Sequence, residues 1–203
     1  MKAMATYYLK TPISEKDVRK IGVNDTIYIT GTIVTARDAT HKRALDFHNK
    51  AKQLPLNLEG LAIFHCGPIV KNEGDRWKVV DAGPTTSSRM DMFEDKFIKN
   101  FKVRVVVGKG GMDKKTVDAM KQYGAVYGAF TGGAGVLAAK AIKQVKGVEW
   151  IDLGMPEAMW ILEVEDFGPL TVAIDAHGNN LFQNIQTKAD EKKPEIYKKL
   201  NIQ

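Results

Sequence analysis

The stretch "KVVDAGPTTSSRMD", residues 78–91, decides the class of fold because it joins a strand pattern to a helix pattern. Its valines are typical of a β-strand, the Gly-Pro pair marks a turn, and helical apolar spacing runs from Arg89 to about Phe101. Strands that alternate with helices predict an α/β fold. The stretch also raises a question, because Arg89 stands where the helix should begin and the helix dipole disfavours a cation there.

Two other segments repeat this order of strand, basic residue and helix. In "TIVTARDATH", residues 32–41, the basic residue is Arg37, and in "RVVVGKGGMDKKT", residues 104–116, it is Lys109. Ligands of open α/β sheets bind outside the carboxyl ends of the strands, where helix N-termini favour anions. Three cations at such points, Arg37, Arg89 and Lys109, predict a site for a small ligand with more than one carboxylate.

The helix starts in these segments carry capping residues. Asp38 and Asp113 are the predicted N-caps of the helices that follow Arg37 and Lys109. Ser88 and Asp91 have the spacing of a capping box, with aspartate in place of the usual glutamate or glutamine. This spacing would make Arg89 the first helical residue, so we expect a bound anion to offset its charge.

The turn before Arg89 offers further groups to a ligand. Pro84 fixes the backbone of the turn, and Gly83 lets the chain pass close to a ligand. Thr85 and Thr86 are left outside the predicted helix with free hydroxyls. Arg89 could bind a carboxylate through two parallel hydrogen bonds.

The rest of the chain extends the α/β pattern. We predict a single domain with a mixed sheet over residues 1–203 and a charged surface tail from about residue 187 to the end. The segment "DTIYITGTIVTA" reads as two strands joined or kinked at Gly31, and "AMWILEV" and "LTVAID" as two separate strands. We also predict a helix over residues 136–145 and a strand over residues 149–153.

Composition narrows the class of protein. The 203 residues are 44% hydrophobic and 27% charged, which is ordinary for a globular protein that folds around a full core. The sequence has no run of about 18 apolar residues, which a membrane span would require, and its N-terminus lacks the apolar core of a signal peptide. We therefore expect a cytoplasmic protein. The net charge is +6, but the basic residues are not interleaved with aromatic residues that could stack on bases. We therefore do not expect nucleic-acid binding.

The cysteine and histidine content limits the metal chemistry. A single cysteine, Cys66, excludes an internal disulfide and a multi-cysteine zinc or iron–sulfur site. The four histidines lack metal-ligand spacing; they are His41, His48, His65 and His177. We therefore predict no metal ligand in this chain, and any metal of its chemistry would be held by another chain.

Each of these features also has a structural interpretation. Threonines and serines before a helix most often only cap it, and Arg37 and Arg89 could be surface charges paired with Asp38 and Asp91. His41 suits a structural role as well as a catalytic one. Cys66 is typical of a small core residue. His65 is expected to be a packing neighbour because no acid that would orient it is evident; the segment "TGGAG" could be a tight turn.

Five motifs together resemble a known family. "TARDATHKR", "HCGPIV", "AGPTTSSRMD", "GKGGM" and "TGGAG" follow in the order seen in the C-terminal part of class I fumarate hydratases. The chain thus resembles the beta subunit of iron–sulfur fumarate and L(+)-tartrate hydro-lyases, over roughly residues 25–166. The resemblance implies a swivelling β/β/α domain that closes on the substrate. It also implies a 4Fe–4S cluster held by cysteines of an alpha subunit, and hence a hetero-oligomer.

The resemblance assigns roles to the residues of the three segments. Arg37, Arg89 and Lys109 would bind substrate carboxylates. Thr85 and Thr86 would hydrogen-bond near the reacting carbons, with Thr85 as the candidate for proton transfer. Secondary site residues would be His41, Gly83 and Gly110.

The expected reaction is the reversible dehydration of a 2-hydroxy dicarboxylate, with malate to fumarate first and tartrate or methylated dicarboxylates as alternatives. An unassisted threonine is a weak base, so Thr85 would need activation by its surroundings or by the partner chain. Three other classes stay open. The chain could be a dicarboxylate- or phosphate-binding module without chemistry, a structural partner with a degenerate site, or the swivelling domain of an aconitase-like dehydratase.

Overall fold

The computed structural model describes residues 4–202 as a mixed α/β fold. Its strands are β1 (Thr6–Lys10), β2 (Thr26–Thr35), β3 (Ala62–Phe64), β4 (Ile69–Asn72), β5 (Trp77–Asp81), β6 (Val105–Gly108), β7 (Val126–Ala129), β8 (Ile142–Glu149) and β9 (Met159–Ile174). Its α-helices are α1 (Glu15–Val18), α2 (Asp38–Asn49), α3 (Glu94–Phe101), α4 (Lys114–Tyr123), α5 (Gly135–Ala141) and α6 (Leu181–Lys199). Short 3₁₀ helices lie at Ser87–Met90 and Ile151–Leu153.

Seven strands form one mixed sheet that closes on itself. The order is β1-β2-β3-β6-β7-β9-β8, and β2 pairs with β9 as well. Strands β2, β3, β6 and β7 are parallel neighbours, whereas β9 runs antiparallel to both β7 and β2. Strands β4 and β5 form a separate antiparallel pair. The closure gives the main sheet an inner and an outer face, and the carboxyl ends of β2, β3, β6 and β7 meet at one end.

The core divides between these two faces. Successive side chains of a strand point to opposite faces. In β3, Phe64 therefore packs in the inner cluster, together with side chains of β2, β6 and β9, and Ile63 packs in the outer cluster. The outer cluster also contains Ala44 of α2 and Phe97 of α3. By the same alternation His65 faces the outer, helical layer, and it is fully buried there.

The structure confirms the predicted α/β fold and differs from the sequence interpretation at several elements. Residues 26–35 form one strand, with shifts of register against β9 near Gly31, whose φ is +109°. Strand β9 is also continuous. The predicted helix over residues 136–145 ends at Ala141, because Ile142 and the residues after it pair with β9. The strand predicted over residues 149–153 is wrong, since a 3₁₀ helix occupies Ile151–Leu153.

Two of the predicted helix caps are also wrong. Helix α2 has Arg37, not Asp38, at its N-cap, without a side-chain hydrogen bond. The Ser88–Asp91 capping box does not form, because Asp91 Oδ1 accepts a hydrogen bond from the Asp113 amide across the fold, at 3.1 Å. Asp113 caps α4 as predicted, accepting from the Thr116 amide at 2.9 Å. None of the helices within residues 4–202 is long and apolar enough to cross a membrane.

Candidate active site

The loops that follow β3, β5 and β6 are bound together through their backbones. The Thr85 amide donates to the carbonyl of His65 at 2.6 Å, and the Lys109 amide donates to the carbonyl of Thr85 at 3.2 Å. The Ser87 amide then donates to the carbonyl of Lys109 at 2.9 Å. Residues 82–90 are thereby held between the exits of two parallel strands, and Thr85, Thr86 and Lys109 come together as the sequence predicted.

Arg37, at the exit of β2, lies beside these loops. A Cβ built on Gly67 would stand 2.6 Å from Arg37 Nη1, so only a glycine leaves room for the guanidinium at that position. Arg37 Nε lies 3.1 Å from Glu157 Oε1, although this nitrogen lacks the alignment of a hydrogen bond. Glu157 Oε2 accepts from the Ala39 amide at 2.9 Å, so Glu157 serves both the first turn of α2 and Arg37.

Arg89 is balanced by a carboxylate of the protein. Its Nη2 donates to Asp38 Oδ2 at 2.6 Å, and the two side chains are 48% and 36% exposed. Arg89 lies in the 3₁₀ helix, because α3 begins only at Glu94. The prediction that Arg89 opens this α-helix is therefore wrong, and no bound anion is needed to explain its charge. The structural interpretation of the sequence included surface ion pairs, but it paired Arg37 with Asp38 and Arg89 with Asp91.

Lys109 is exposed, as Arg89 is, and differs from both arginines in its charge partners. Within residues 4–202 no carboxylate oxygen lies within 4.0 Å of its amine, unlike the nitrogens of Arg37 and Arg89. A Cβ on Gly132 would stand 3.7 Å from Lys109 Cδ, which places the "TGGAG" loop beside the lysine. Gly110 has a φ of +76°, and a Cβ there would stand 3.8 Å from Thr86 Cγ2. The Gly83 amide donates to Asp81 Oδ2 at 3.1 Å.

A buried polar network lies beneath these residues. Glu94 Oε2 accepts from His65 Nε2 at 3.0 Å and contacts His41 Nε2 at 3.1 Å, and all three side chains are fully buried. His65 Nδ1 lies 2.9 Å from Ser87 Oγ, which lies 2.9 Å from the Tyr127 hydroxyl. His41 Nδ1 donates to the backbone carbonyl of Arg37 at 2.8 Å. The network thus connects the exits of β2 and β3 with the loop that carries Thr85.

The hydrogen-bond partners assign the protons of this network. His41 faces an acceptor at each ring nitrogen, the carbonyl of Arg37 and the carboxylate of Glu94, so both nitrogens carry hydrogen. Burial lowers the pKa of His65 more than Glu94 raises it, so His65 is neutral. Burial alone would raise the pKa of Glu94, but the adjacent histidines outweigh it and lower that pKa. Glu94 is therefore ionised, and it lies between the ring of His41 and the ring of neutral His65.

These proton positions fix which atom donates and which accepts in each hydrogen bond from Tyr127 to Glu94. Neutral His65 donates from Nε2 to Glu94, so its Nδ1 accepts from the hydroxyl of Ser87. The Ser87 oxygen then accepts from the hydroxyl of Tyr127, whose pKa burial raises. One buried atom, Glu94 Oε1, has no partner in the described part of the chain.

The buried network contains the atoms of one potential metal site. Within residues 4–202 one group offers three potential ligand atoms within 4.8 Å of one another, namely His41, His65 and Glu94. Hydrogen bonds among the three occupy these atoms, and the group is fully buried. Cys66 is buried as expected, and burial raises the pKa of its thiol, so it offers no exposed thiolate. The described residues therefore do not form a thiolate set for an iron–sulfur cluster.

The sequence interpretation missed Glu94 and misjudged His65. His65 was expected to be a packing neighbour without an acid, which is wrong because Glu94 orients it. One signal was present: Glu94 precedes Phe97 by three residues and Ile98 by four, so a carboxylate lies on the buried face of α3. A charge on such a face requires a buried partner.

Comparisons with known proteins show the family of the chain. The family profile described as "Fumarase C-terminus" matches residues 2–185. The chain is 46% identical over 187 residues to the L(+)-tartrate dehydratase subunit beta of Escherichia coli (strain K12), covering 92% of each chain. A putative L(+)-tartrate dehydratase subunit beta of Methanocaldococcus jannaschii is 43% identical over 190 residues, which cover 93% of this chain and 97% of that protein.

A longer relative matches as well. The putative class I fumarate hydratase of Geobacillus stearothermophilus is 43% identical over 185 residues, 91% of this chain but 35% of that protein. The same domain thus occurs in separate subunits and as part of a longer hydratase. The chain belongs to the fumarase C-terminus family, among the beta subunits of the tartrate dehydratases and their class I fumarate hydratase homologues.

Proposed function

We propose that this chain is the substrate-binding subunit of a hydro-lyase that reversibly dehydrates a 2-hydroxy dicarboxylate. The observation that supports the proposal most is the convergence of Arg37, Thr85, Thr86, Arg89 and Lys109 at the ends of the parallel strands. Family membership supplies the reaction class, since relatives are named as dehydratases and hydratases. Malate to fumarate is the reaction that we predict first.

The three cations would bind the two carboxylates of the substrate. A guanidinium has five N–H donors, so Arg89 keeps donors for a ligand while Asp38 holds one nitrogen in place. An exposed ion pair of this kind contributes at most about 1 kcal/mol, so a substrate carboxylate can compete for the guanidinium. Lys109, which lacks an internal counterion in the described residues, would be the cation that gains most from a bound anion.

The two threonines lie between these cations. The Thr86 side chain does not cap the 3₁₀ helix that it precedes, which leaves its hydroxyl for a ligand. Thr85 is half-buried, and its backbone is fixed by hydrogen bonds on both sides. We assign Thr85 the proton transfer at the carbon next to the hydroxyl-bearing carbon. It needs a base from the partner chain to act at neutral pH.

The reaction breaks one C–H and one C–O bond and forms a C=C bond, with water as the second product. An iron–sulfur cluster held by an alpha subunit would supply Lewis-acid chemistry at the leaving hydroxyl. This chain's part is to orient the substrate and to stabilise the negative charge that develops on it. The family resemblance makes His41 a secondary site residue. Its hydrogen bond to the Arg37 carbonyl would hold the backbone of Arg37 in place.

Dehydration of L(+)-tartrate is the second candidate. Several relatives of nearly full coverage are named as tartrate dehydratase beta subunits, and the hydratase homologue is similar to the same degree. Malate and tartrate carry the same two carboxylates and differ by one hydroxyl, so the three cations bind both. A contact to that hydroxyl would decide between them.

The test is purification of the chain with its partner under anaerobic conditions, followed by assays on malate, tartrate and methylated dicarboxylates. Replacing Lys109 by alanine should lower kcat/KM by about 100-fold, the scale of one preorganised charged contact. Lys114→Ala is the matched control, because Lys114 is 84% exposed and pairs only with Asp118 within its own helix. Activity of Lys109→Ala equal to the control would refute the assignment of Lys109. Dicarboxylate binding without turnover would instead favour the binding module.

A further inference from the structure

The geometry points to Ser87 as a positioning residue for the reaction. This inference rests on the proposed function, because the residues that it would hold in place are Thr85, Thr86, Arg89 and Lys109. Ser87 follows Thr86 directly and is the first residue of the 3₁₀ helix that carries Arg89. Its side chain is fully buried and points away from the ligand-facing groups, so it would not touch the substrate.

Ser87 is fixed from three directions. Its hydroxyl donates to His65 Nδ1 at 2.9 Å and accepts from the Tyr127 hydroxyl at 2.9 Å, which joins the loop to the exit of β3 and to the second residue of β7. Its amide donates to the carbonyl of Lys109 at 2.9 Å. A small residue thereby connects the exits of β3 and β6 with β7. Displacing it would shift the neighbours that face the ligand.

The position of the Ser87 hydroxyl depends on the glycine at residue 108. A Cβ built on Gly108 would stand 2.0 Å from Ser87 Oγ, but 3.3 Å from both His65 Nδ1 and the Tyr127 hydroxyl. The last residue of β6 therefore has to be glycine for the serine hydroxyl to occupy its place. Of these three polar atoms, a methyl group at residue 108 would displace chiefly the hydroxyl of Ser87.

The buried network connects Ser87 to the exit of β2. His65 donates to Glu94, Glu94 pairs with His41, and His41 holds the backbone carbonyl of Arg37. The same histidine that anchors Ser87 through its side chain accepts the Thr85 amide through its carbonyl. The side chains of this buried network, and the backbone of its residues, thus contact the backbone of Arg37, Thr85 and Lys109, and Ser87 adjoins Thr86. A purely structural network would stabilise the fold without affecting turnover.

The experiment uses the complex with the partner subunit and the variants Ser87→Ala, Gly108→Ala and their combination. Ser87→Ala should lower kcat by about 100-fold per folded, cluster-loaded enzyme, the scale of a misplacement of about 1 Å. Gly108→Ala should have an effect of similar size, because it expels the same hydroxyl. The double variant should be no worse than Ser87→Ala, because the added methyl then fills the vacated space.

Gly128→Ala is the matched control. Gly128 is a buried glycine of β7 where a Cβ would stand 3.2 Å from Leu170 Cβ, so the change crowds the core away from Ser87. It should lower thermal stability and leave kcat within about threefold of wild type. Hydrogen exchange, followed by mass spectrometry on a peptide covering residues 84–90, gives a readout that does not depend on turnover. Exchange there should be faster in Ser87→Ala and unchanged in Gly128→Ala.

The outcomes separate the two proposals. A Ser87→Ala complex with near-normal kcat and unchanged exchange would overturn the positioning role. Additive losses in the double variant would overturn it as well, since the two residues would then act independently. If the wild-type complex dehydrates none of the acids, the proposed function is wrong. The exchange measurement would then show whether Ser87 still orders the loop.

Discussion

Removal of the Glu94 carboxylate should destabilise the protein more than any other single change in the buried network. Glu94 Oε2 takes part in hydrogen bonds of 3.0 and 3.1 Å to His65 and His41, and all three side chains are fully buried. A hydrogen bond to a charged group contributes about 1.5–3 kcal/mol, and breaking a buried ion pair costs about 3–5 kcal/mol. We expect Glu94→Ala to lose about 4 kcal/mol of unfolding free energy, which lowers the melting temperature by about 10 °C.

The matched variant is Glu94→Gln, which keeps the size of the side chain. An amide nitrogen at the place of Oε2 can donate to both histidines if each keeps its hydrogen on Nδ1. His65 then donates to Ser87, and Ser87 to Tyr127, so the chain of hydrogen bonds reverses without moving. We expect this variant to lose about 1 kcal/mol.

The assay is urea unfolding followed by fluorescence of the tryptophans, with the melting temperature measured in parallel. Tryptophans Trp77 and Trp160 pack against the inner cluster, so their signals report on the core. The reasoning fails if Glu94→Ala is within about 1 kcal/mol of wild type. It fails equally if Glu94→Gln is as unstable as Glu94→Ala, because the amide should rescue the hydrogen bonds.

Two further predictions concern ionisable groups away from the ligand. Cys66 is buried and burial raises the pKa of its thiol, so iodoacetamide should modify it only after unfolding; alkylation of the native protein, detected by mass spectrometry, would contradict this. The native pKa values of His65 and Glu94 lie below their usual values of 6.5 and 4.5. The unfolded chain therefore binds more protons than the native one in acid, and stability should fall as pH decreases from about 6.5 and fall further below about 4.5. Urea midpoints at a series of pH values measure this. Glu94→Gln should show a smaller second decrease, because only the ion-paired surface carboxylates, whose pKa values are also lowered, still contribute to it. A midpoint that rises toward acid would be the contrary result.

Much of the fold was predictable because local patterns carry it. The valine-rich strand before Lys109 and the Asp113 cap of α4 lie next to each other in sequence, and both form as predicted. The elements that were predicted wrongly depend on contacts with residues that are distant in sequence. Residues 142–145 have a helical pattern, but pairing with β9 draws them into a strand, because the ladder satisfies their backbone groups.

The candidate site shows the same division. The order of strand, cation and helix start predicted Arg37 and Lys109 at one edge of the sheet, because parallel strands end at one edge. Arg89 follows β5 of the separate antiparallel pair, and the hydrogen bonds of its loop to His65 and Lys109 bring it to that end. The partners of these cations were not predictable. Arg89 pairs with Asp38, which lies 51 positions away, although a local partner, Asp91, stands two residues from Arg89.

The sequence by itself therefore determined the alternation of strands and helices, the cations at the strand exits and the absence of a thiol set that could hold a cluster. These properties depend on residue type and on spacing within a few turns of chain. Only the tertiary structure decided the closure of the sheet through β2 and β9, and the buried pairing of His41 with Glu94 over 53 positions. Such contacts depend on which distant side chains become desolvated together, and a buried charge is stable only where the fold supplies its partner.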